Sequence, residues 1–229
     1  MRGPKGRWIP NDFPVEVTPR QEQIFMGTIL GDGNLKKRKG GRNSLFRVSH
    51  CEADKDYVFW KYQELGSTGL FLHKPKRRLN NNGFGMERRS YRWELSSRRH
   101  IIFSSFEELF YPNGEKRITR EILDRLEPLG LAVWYMDDGS YPSKDGVKGG
   151  RLSLSIQSFT EEEARVIQWW FWDKFGLKFS LSLATGGRPV LWIYNKPMVA
   201  KFLEVVRPYV IPCMARKVGV VTLRKDPHV

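Results

Sequence analysis

Two stretches of this chain close in the same way, and together they constrain the fold more than any other feature. Phe25-Met26-Gly27-Thr28-Ile29-Leu30-Gly31-Asp32-Gly33 and Leu131-Ala132-Val133-Trp134-Tyr135-Met136-Asp137-Asp138-Gly139 are apolar runs that end on Asp-Gly, about half a chain apart. An apolar helix tipped with a carboxylate makes opposed demands. Its body requires burial, while its tip requires a cation or water. Acids are also poor choices at a helix C-terminus, where they meet the negative end of the helix dipole. Repeating this misplaced charge points to a duplicated fold that brings two carboxylates to one point.

The segments around the two runs repeat as well. Thr18-Pro19-Arg20-Gln21 reads as a helix start, with Thr18 capping, Pro19 at the first helical position and Gln21 closing a capping box. The helix is expected to reach Asp32, with Gly33 as a left-handed stop. A hairpin follows over Asn34–Lys39 and Ser44–Cys51, then a helix from Ala53 to Leu65 with Tyr57, Phe59 and Trp60 on its apolar side. A second hairpin over Leu70–Arg78 and Met86–Leu95 and a helix from Arg99 to Tyr111 complete the first half. The second half repeats this order: a helix ending at Asp138, strands at Ser140–Val147 and Leu152–Gln157, and a helix capped by Thr160 and ending near Phe175. Strands at Lys178–Leu183 and Val190–Tyr194 and a helix over Pro197–Val206 close it. The predicted organisation is an N-terminal extension (1–17), a first repeat (18–111), a polar, basic connection (112–121) and a second repeat (122–229).

The 229 residues carry a formal net charge of +14, with a pI near 9.9. Solubility needs only a small net charge of either sign. A balance this basic points to a polyanionic partner, with nucleic acid first among candidates. Cys51 and Cys213 offer no Cys-x-x-Cys pair, which argues against a disulfide framework or a thiolate zinc site and fits a reducing compartment. His50, His73, His100 and His228 show no metal-ligand spacing, and packing or surface roles suit the last three. Met1-Arg2-Gly3-Pro4-Lys5-Gly6-Arg7 has no apolar run behind it, so no secretory signal is expected. No window of about 18 apolar residues is present to span a membrane. A cytoplasmic, nucleoid-associated protein of bacterial or archaeal type is the expectation.

The basic residues gather on the hairpins. Lys36, Lys37, Arg38, Lys39 and Arg42 flank the first turn. Lys74, Lys76, Arg77, Arg78, Arg88, Arg89 and Arg92 fill the second hairpin. Lys144, Lys148 and Arg151 repeat the arrangement in the second half. One basic hairpin is commonly a solvated face or a protected sheet edge. Basic hairpins in both halves favour a nucleic-acid surface. Strand alternation places Arg88, Ser90, Arg92 and Glu94 on one face, and a two-stranded ribbon with such a face fits a DNA major groove. Arg47, Ser153, Lys178 and Arg188, on or beside the same strands, complete the candidate DNA-contacting set.

Gly27 and Gly31 are four apart, a spacing that lets two helix backbones approach closely, with Thr28 and Ala132 near the contact. Such a crossing would set Asp32 and Asp138 side by side, next to the free carbonyls of their helix ends. These charges repel unless a hard cation bridges them. Oxygen donors without thiolates or imidazoles suit Mg²⁺, which supports phosphodiester hydrolysis. Asp137 is the weaker acid candidate and offers its carbonyl. Lys116 and Lys217 close the two halves at matching places. Either could perturb an attacking water or stabilise phosphorane charge.

These motifs resemble the LAGLIDADG homing endonucleases in their single-chain, two-motif, intron-encoded form. The resemblance runs from Thr18 to Lys217. Its most specific parts are Leu131 to Gly139 with Ser155-Ile156-Gln157-Ser158-Phe159-Thr160, and Tyr209-Val210-Ile211-Pro212 leading to Lys217. It implies an α+β protein of two pseudo-symmetric αββαββα halves, with saddle-shaped antiparallel sheets on the DNA major groove and a central two-helix interface. It implies a monomer that cuts both strands of a long asymmetric duplex site with Mg²⁺, for which Mn²⁺ or another divalent ion substitutes. In this reading Asp32 and Asp138 hold metal, assisted by the carbonyls of Gly31 and Asp137. Lys116 and Lys217 are the active-site bases, and Gln157 organises water. Ser49 or His50 stands near the first-half counterpart of Gln157. Two other functions fit the same fold: an RNA-binding intron maturase and a DNA-binding regulator that does not cut. Retention of both acids favours cleavage.

Overall fold

The computed structural model describes residues 13–80, 90–141 and 150–220. The chain divides into two compact units between Glu115 and Lys116. Both are α+β, and each carries a four-stranded antiparallel sheet. Among the described residues, no helix is long and apolar enough to cross a membrane.

The first unit begins with helix α1 (Pro19–Leu30), which carries the expected capping box between Thr18 and Gln21. Strands β1 (Asn34–Lys37) and β2 (Ser44–Cys51), helix α2 (Lys55–Leu65), strands β3 (Lys76–Asn80) and β4 (Ser90–Ser96), and helix α3 (Ile101–Phe110) follow. The sheet order is β1-β2-β4-β3. Strand β2 alternates between a buried face of Ser44, Phe46, Val48 and His50 and a more open face of Leu45, Arg47, Ser49 and Cys51. Phe25 from α1 meets Phe46 and Phe103 edge-on, at ring separations of 5.2 and 5.5 Å, so the core is an aromatic cluster under the sheet.

Helix α1 stops two residues earlier than the sequence pattern suggests. Gly31 is its C-cap, Asp32 lies in the turn beyond, and Gly33 does not adopt the left-handed conformation. Gly33 is instead required by proximity. Its N–H donates to the Thr28 carbonyl at 2.7 Å, and a Cβ at this position would stand 2.5 Å from the same oxygen.

The second unit opens with a short helix, α4 (Arg120–Asp124), capped by Thr119. It straddles the expected boundary between the polar connection (112–121) and the second repeat. Helix α5 (Pro128–Asp138), strands β5 (Gly139–Ser140) and β6 (Leu152–Ser155), helix α6 (Glu161–Phe175), strands β7 (Ser180–Ala184) and β8 (Arg188–Ile193) and helix α7 (Lys196–Val206) complete it. Its sheet order, β5-β6-β8-β7, matches that of the first unit. Phe171, Phe179 and Phe202 pack together beneath this sheet.

Candidate active centres and nucleic-acid interface

In the first unit, Asp32 hangs from the turn after α1 with 44% of its side chain exposed. His50, on the buried face of β2, points Nδ1 at Asp32 Oδ2 across 3.3 Å. On its far side, His50 Nε2 lies 3.4 Å from the Lys61 Nζ. Lys61 is a fully buried lysine on α2, with its ammonium 4.3 Å above the Tyr57 ring. The sequence pattern does not single out Lys61. Its spacing from Val58 and Leu65, both on the apolar stripe of α2, is the signal that it faces inward.

In the second unit, Asp138 is the last residue of α5. Gly139 turns the chain straight into β5, and a Cβ there would stand 2.1 Å from the Tyr135 ring. Lys217 crosses this helix end. Its Nζ donates to the Gly139 carbonyl at 2.6 Å and to the Asp137 carbonyl at 3.3 Å, so the ammonium brackets Asp138. The Tyr135 hydroxyl donates to the Lys217 carbonyl at 2.8 Å, and burial pushes that hydroxyl's pKa up, keeping it a donor. A helix end that gathers an ammonium onto two carbonyls is a place where positive charge is stabilised. Gln157 sits beyond β6 in an exposed turn. Lys116 lies over the Phe159 ring at 5.5 Å, within the second unit.

The open faces of the two sheets differ in chemistry. In the first, register places Arg47, Arg78, Arg92 and Glu94 on one face. Glu94 lies at the centre, with Arg47 Nε, Arg78 Nε and Arg92 Nη2 at 3.9, 3.8 and 3.9 Å from its carboxylate. Lys36 and Lys76 share that face, whereas Lys37 faces the other way and pairs with Glu107 of α3 at 4.0 Å. In the second sheet the equivalent face holds Ser153, Ser155, Ser180, Ser182, Val190 and Trp192. The Trp192 Nε1–H donates to Ser182 Oγ at 2.7 Å, and the Arg151 guanidinium stacks 5.2 Å from the Trp192 ring. Arg188 is exposed at the start of β8, and Lys178 is exposed ahead of β7. Arg38, Arg42 and Lys74 are exposed in loops. Arg88, Lys144 and Lys148 lie outside the described residues.

A model of the LAGLIDADG DNA endonuclease family matches residues 22–201. The chain belongs to this family. Among solved structures it is similar to the homing endonuclease I-WcaI bound to its DNA recognition sequence. That likeness has 26% identity and a TM-score of 0.79, covering 88% of this chain and 86% of that one. Among curated proteins it is similar to protein RecA of Mycobacterium shimoidei, 30% identical over 213 residues, which are 89% of this chain and 47% of that protein. It is also similar to cytochrome b mRNA maturase bI2 of Debaryomyces hansenii, 27% identical, covering 86% of this chain and 72% of that protein. The chain thus spans about half the length of the RecA relatives it matches.

The two LAGLIDADG repeats can be aligned through their sheets. Asn34 pairs with Arg47 as Ser140 pairs with Ser153, at the same distance in sequence from Asp32 and Asp138 respectively. This register makes Cys51, rather than Ser49 or His50, the counterpart of Gln157. It also makes Ile156 the counterpart of His50 and Ile167 the counterpart of Lys61. The two LAGLIDADG acids therefore sit in unlike surroundings.

Proposed function

We propose that this chain is a monomeric, site-specific DNA endonuclease that hydrolyses both strands of a long asymmetric duplex with a divalent metal, Mg²⁺ or Mn²⁺. The observation that carries the reading is an acid closing each motif, Asp32 just past α1 and Asp138 at the end of α5, in a member of a DNA endonuclease family. The DNA-bound state of I-WcaI supports duplex DNA as the partner.

The donor set fits a hard cation. In the first unit Asp32 would supply carboxylate oxygens and Gly31 a carbonyl, with His50 Nδ1 as a nitrogen donor 3.3 Å from that carboxylate, and in the second unit Asp138 would supply carboxylate oxygens and Asp137 a carbonyl. The metal, when bound, activates water and stabilises the leaving oxygen. The protein supplies the rest. Lys217 holds positive charge against the Asp138 helix end, where it offsets charge developing on the phosphate. Gln157 orients water from its turn, and Lys116 is proposed for the matching basic role. Arg47, Arg78 and Arg92, with Lys36 and Lys76, grip the backbone and base edges along the first sheet. Ser153, Arg151, Lys178 and Arg188 do so along the second. A second reading, an intron maturase that binds RNA, is favoured by the maturase relative, whose match covers 72% of its own length.

Incubating the protein with a randomised duplex library, with and without Mg²⁺, and sequencing the cut ends tests the nuclease reading. Mg²⁺-dependent breaks on both strands at one sequence class are expected. Intact duplex alongside tight binding of structured RNA would support the maturase instead.

A further inference from the structure

We propose that the outer face of helix α6 is a docking groove for a protein partner, which inserts an aromatic or aliphatic side chain flanked by a carboxylate. The groove uses neither candidate acid nor the open face of the sheet, and it stands independent of the nuclease reading.

Two tryptophans mark the site. Trp169 and Trp172 lie three residues apart on α6 and leave 65% and 51% of their surface open. At that spacing they share one helix face. Single exposed apolar residues are ordinary, whereas two neighbouring indoles lining one groove mark an interaction surface. The groove has a volume of about 460 Å³ and runs from α6 to the segment that enters β7, with Arg165, Gln168, Lys178 and Phe179 beside the two tryptophans. A cleft of that size takes a buried anchor side chain. Gln168 fixes one wall, its Nε2 donating to the Phe179 carbonyl at 2.8 Å. The other face of α6 is buried through Ala164, Ile167, Trp170 and Phe171, so the helix is held beneath its sheet without help from Trp169 or Trp172.

The fold itself does not call for the groove. The register that matches Lys61 with Ile167 makes Gln63 and Gly66 the first-unit counterparts of Trp169 and Trp172, and Phe59 that of Arg165. Phe59 packs edge-on against Trp93 at 5.3 Å within its own unit. The second half therefore carries two indoles and a guanidinium where the first carries an amide, a glycine and a packed ring.

Charge selects the partner. The lining holds two cations, Arg165 and Lys178, and no acid. Glu161 accepts from Arg165 Nη2 at 2.6 Å, and a guanidinium has donors enough to hold Glu161 and a partner's carboxylate together. Tryptophan and arginine are the residues that most often dominate binding between proteins. A single-stranded nucleic acid also stacks on indoles. Its phosphates would then run along α6 past Glu161 and Glu162 of the first turn, whose charges repel them. A peptide with one apolar anchor and one neighbouring carboxylate fills the groove without crossing those acids.

The full chain is panned against a phage-displayed library of random peptides, and the selected peptides are resynthesised with a fluorescent label for anisotropy. They should share an aromatic or leucine residue beside Asp or Glu. Trp169→Ala and Trp172→Ala should each weaken binding about tenfold or more, and Trp169→Phe should retain most of it. Arg165→Gln should remove the preference for the peptide's acid over the matching amide. All three positions are exposed, and thermal melts establish that the variants remain folded. A library that yields no binder overturns the groove as a docking site. Peptides that ignore the tryptophan substitutions, or that carry Lys or Arg in place of the acid, overturn it as well. So does an oligouridylate that binds more tightly than the best peptide and loses that binding in Trp169→Ala, since the occupant is then nucleic acid. None of these readouts involves metal or duplex cleavage, so failure of the nuclease reading leaves them intact.

Discussion

The two halves share a sheet order and a register but solve the same electrostatic problem differently. Asp138 ends its helix, and Lys217 donates to the carbonyls on either side of it. Asp32 lies past its helix and leans on a buried imidazole backed by a buried ammonium. The sheets diverge in parallel. The first presents three arginines around Glu94, while the second presents serines around an arginine-stacked tryptophan. Duplication supplies the scaffold, and each half then sets its own charge balance. Two identical faces would read a palindrome, so unequal faces fit the asymmetric target proposed above.

The largest expected effect tests whether the acids remain equivalent despite their surroundings. Asp32→Asn and Asp138→Asn should each lower double-strand cleavage on the order of a thousandfold while DNA affinity, read by fluorescence anisotropy, stays within a few-fold. Loss of affinity in step with cleavage would make them binding residues. Lys217→Met should come next, with about a hundredfold loss in cleavage rate and little change in binding. The same change at Lys116 sharpens the comparison, because Lys116 lies over Phe159 rather than across a helix end. A smaller rate effect there would show that the matched sequence positions do unequal chemistry.

The sheets give a smaller effect. Arg92→Ala should flatten the dependence of log affinity on log salt by about one unit, and Ser182→Ala should leave it unchanged. Glu94→Ala frees three arginines from one carboxylate. It should raise affinity for random duplex several-fold and erode discrimination, both measured by competition binding. Below these in size lies Gly139→Ala. The added carbon meets the Tyr135 ring and carbonyl, so a loss of about 1–3 kcal/mol, seen as a fall of several degrees in Tm, is expected. Smallest is Glu64, whose carboxyl is held below the usual carboxylate range by its hydrogen bonds with Arg20. A depressed folded-state pKa adds stability above the unfolded value of about 4.3 that is lost as pH falls through the folded one. Glu64→Gln should therefore destabilise slightly at neutral pH and not in strong acid, as followed by urea titration.

The sequence revealed the architecture because each element carried its own punctuation. Thr18 with Gln21 and Thr160 with Glu163 close capping boxes where the pattern places helix starts. The end of α1 was not legible, because it depends on the Gly33 N–H reaching back to the Thr28 carbonyl, a contact that no local propensity encodes. Helix α4 was hidden by its short length and polar composition. The two acids stood out because a carboxylate at a helix C-terminus violates local electrostatics. His50 and Lys61 did not, because a histidine in an alternating strand and a lysine in a helix are ordinary until their burial is known. Among the basic residues, alternation allows only one of Lys36 and Lys37 to share the sheet face of Arg47, and composition alone does not say which.

In the proposed reading Asp32 and Asp138 each hold divalent metal when duplex DNA is bound. Electron paramagnetic resonance of Mn²⁺ added to the protein–duplex complex tests it most directly. Tight Mn²⁺ binding in the unsubstituted complex, weakened in Asp32→Asn and weakened separately in Asp138→Asn, is the predicted result. Identical Mn²⁺ binding in all three complexes would contradict the account.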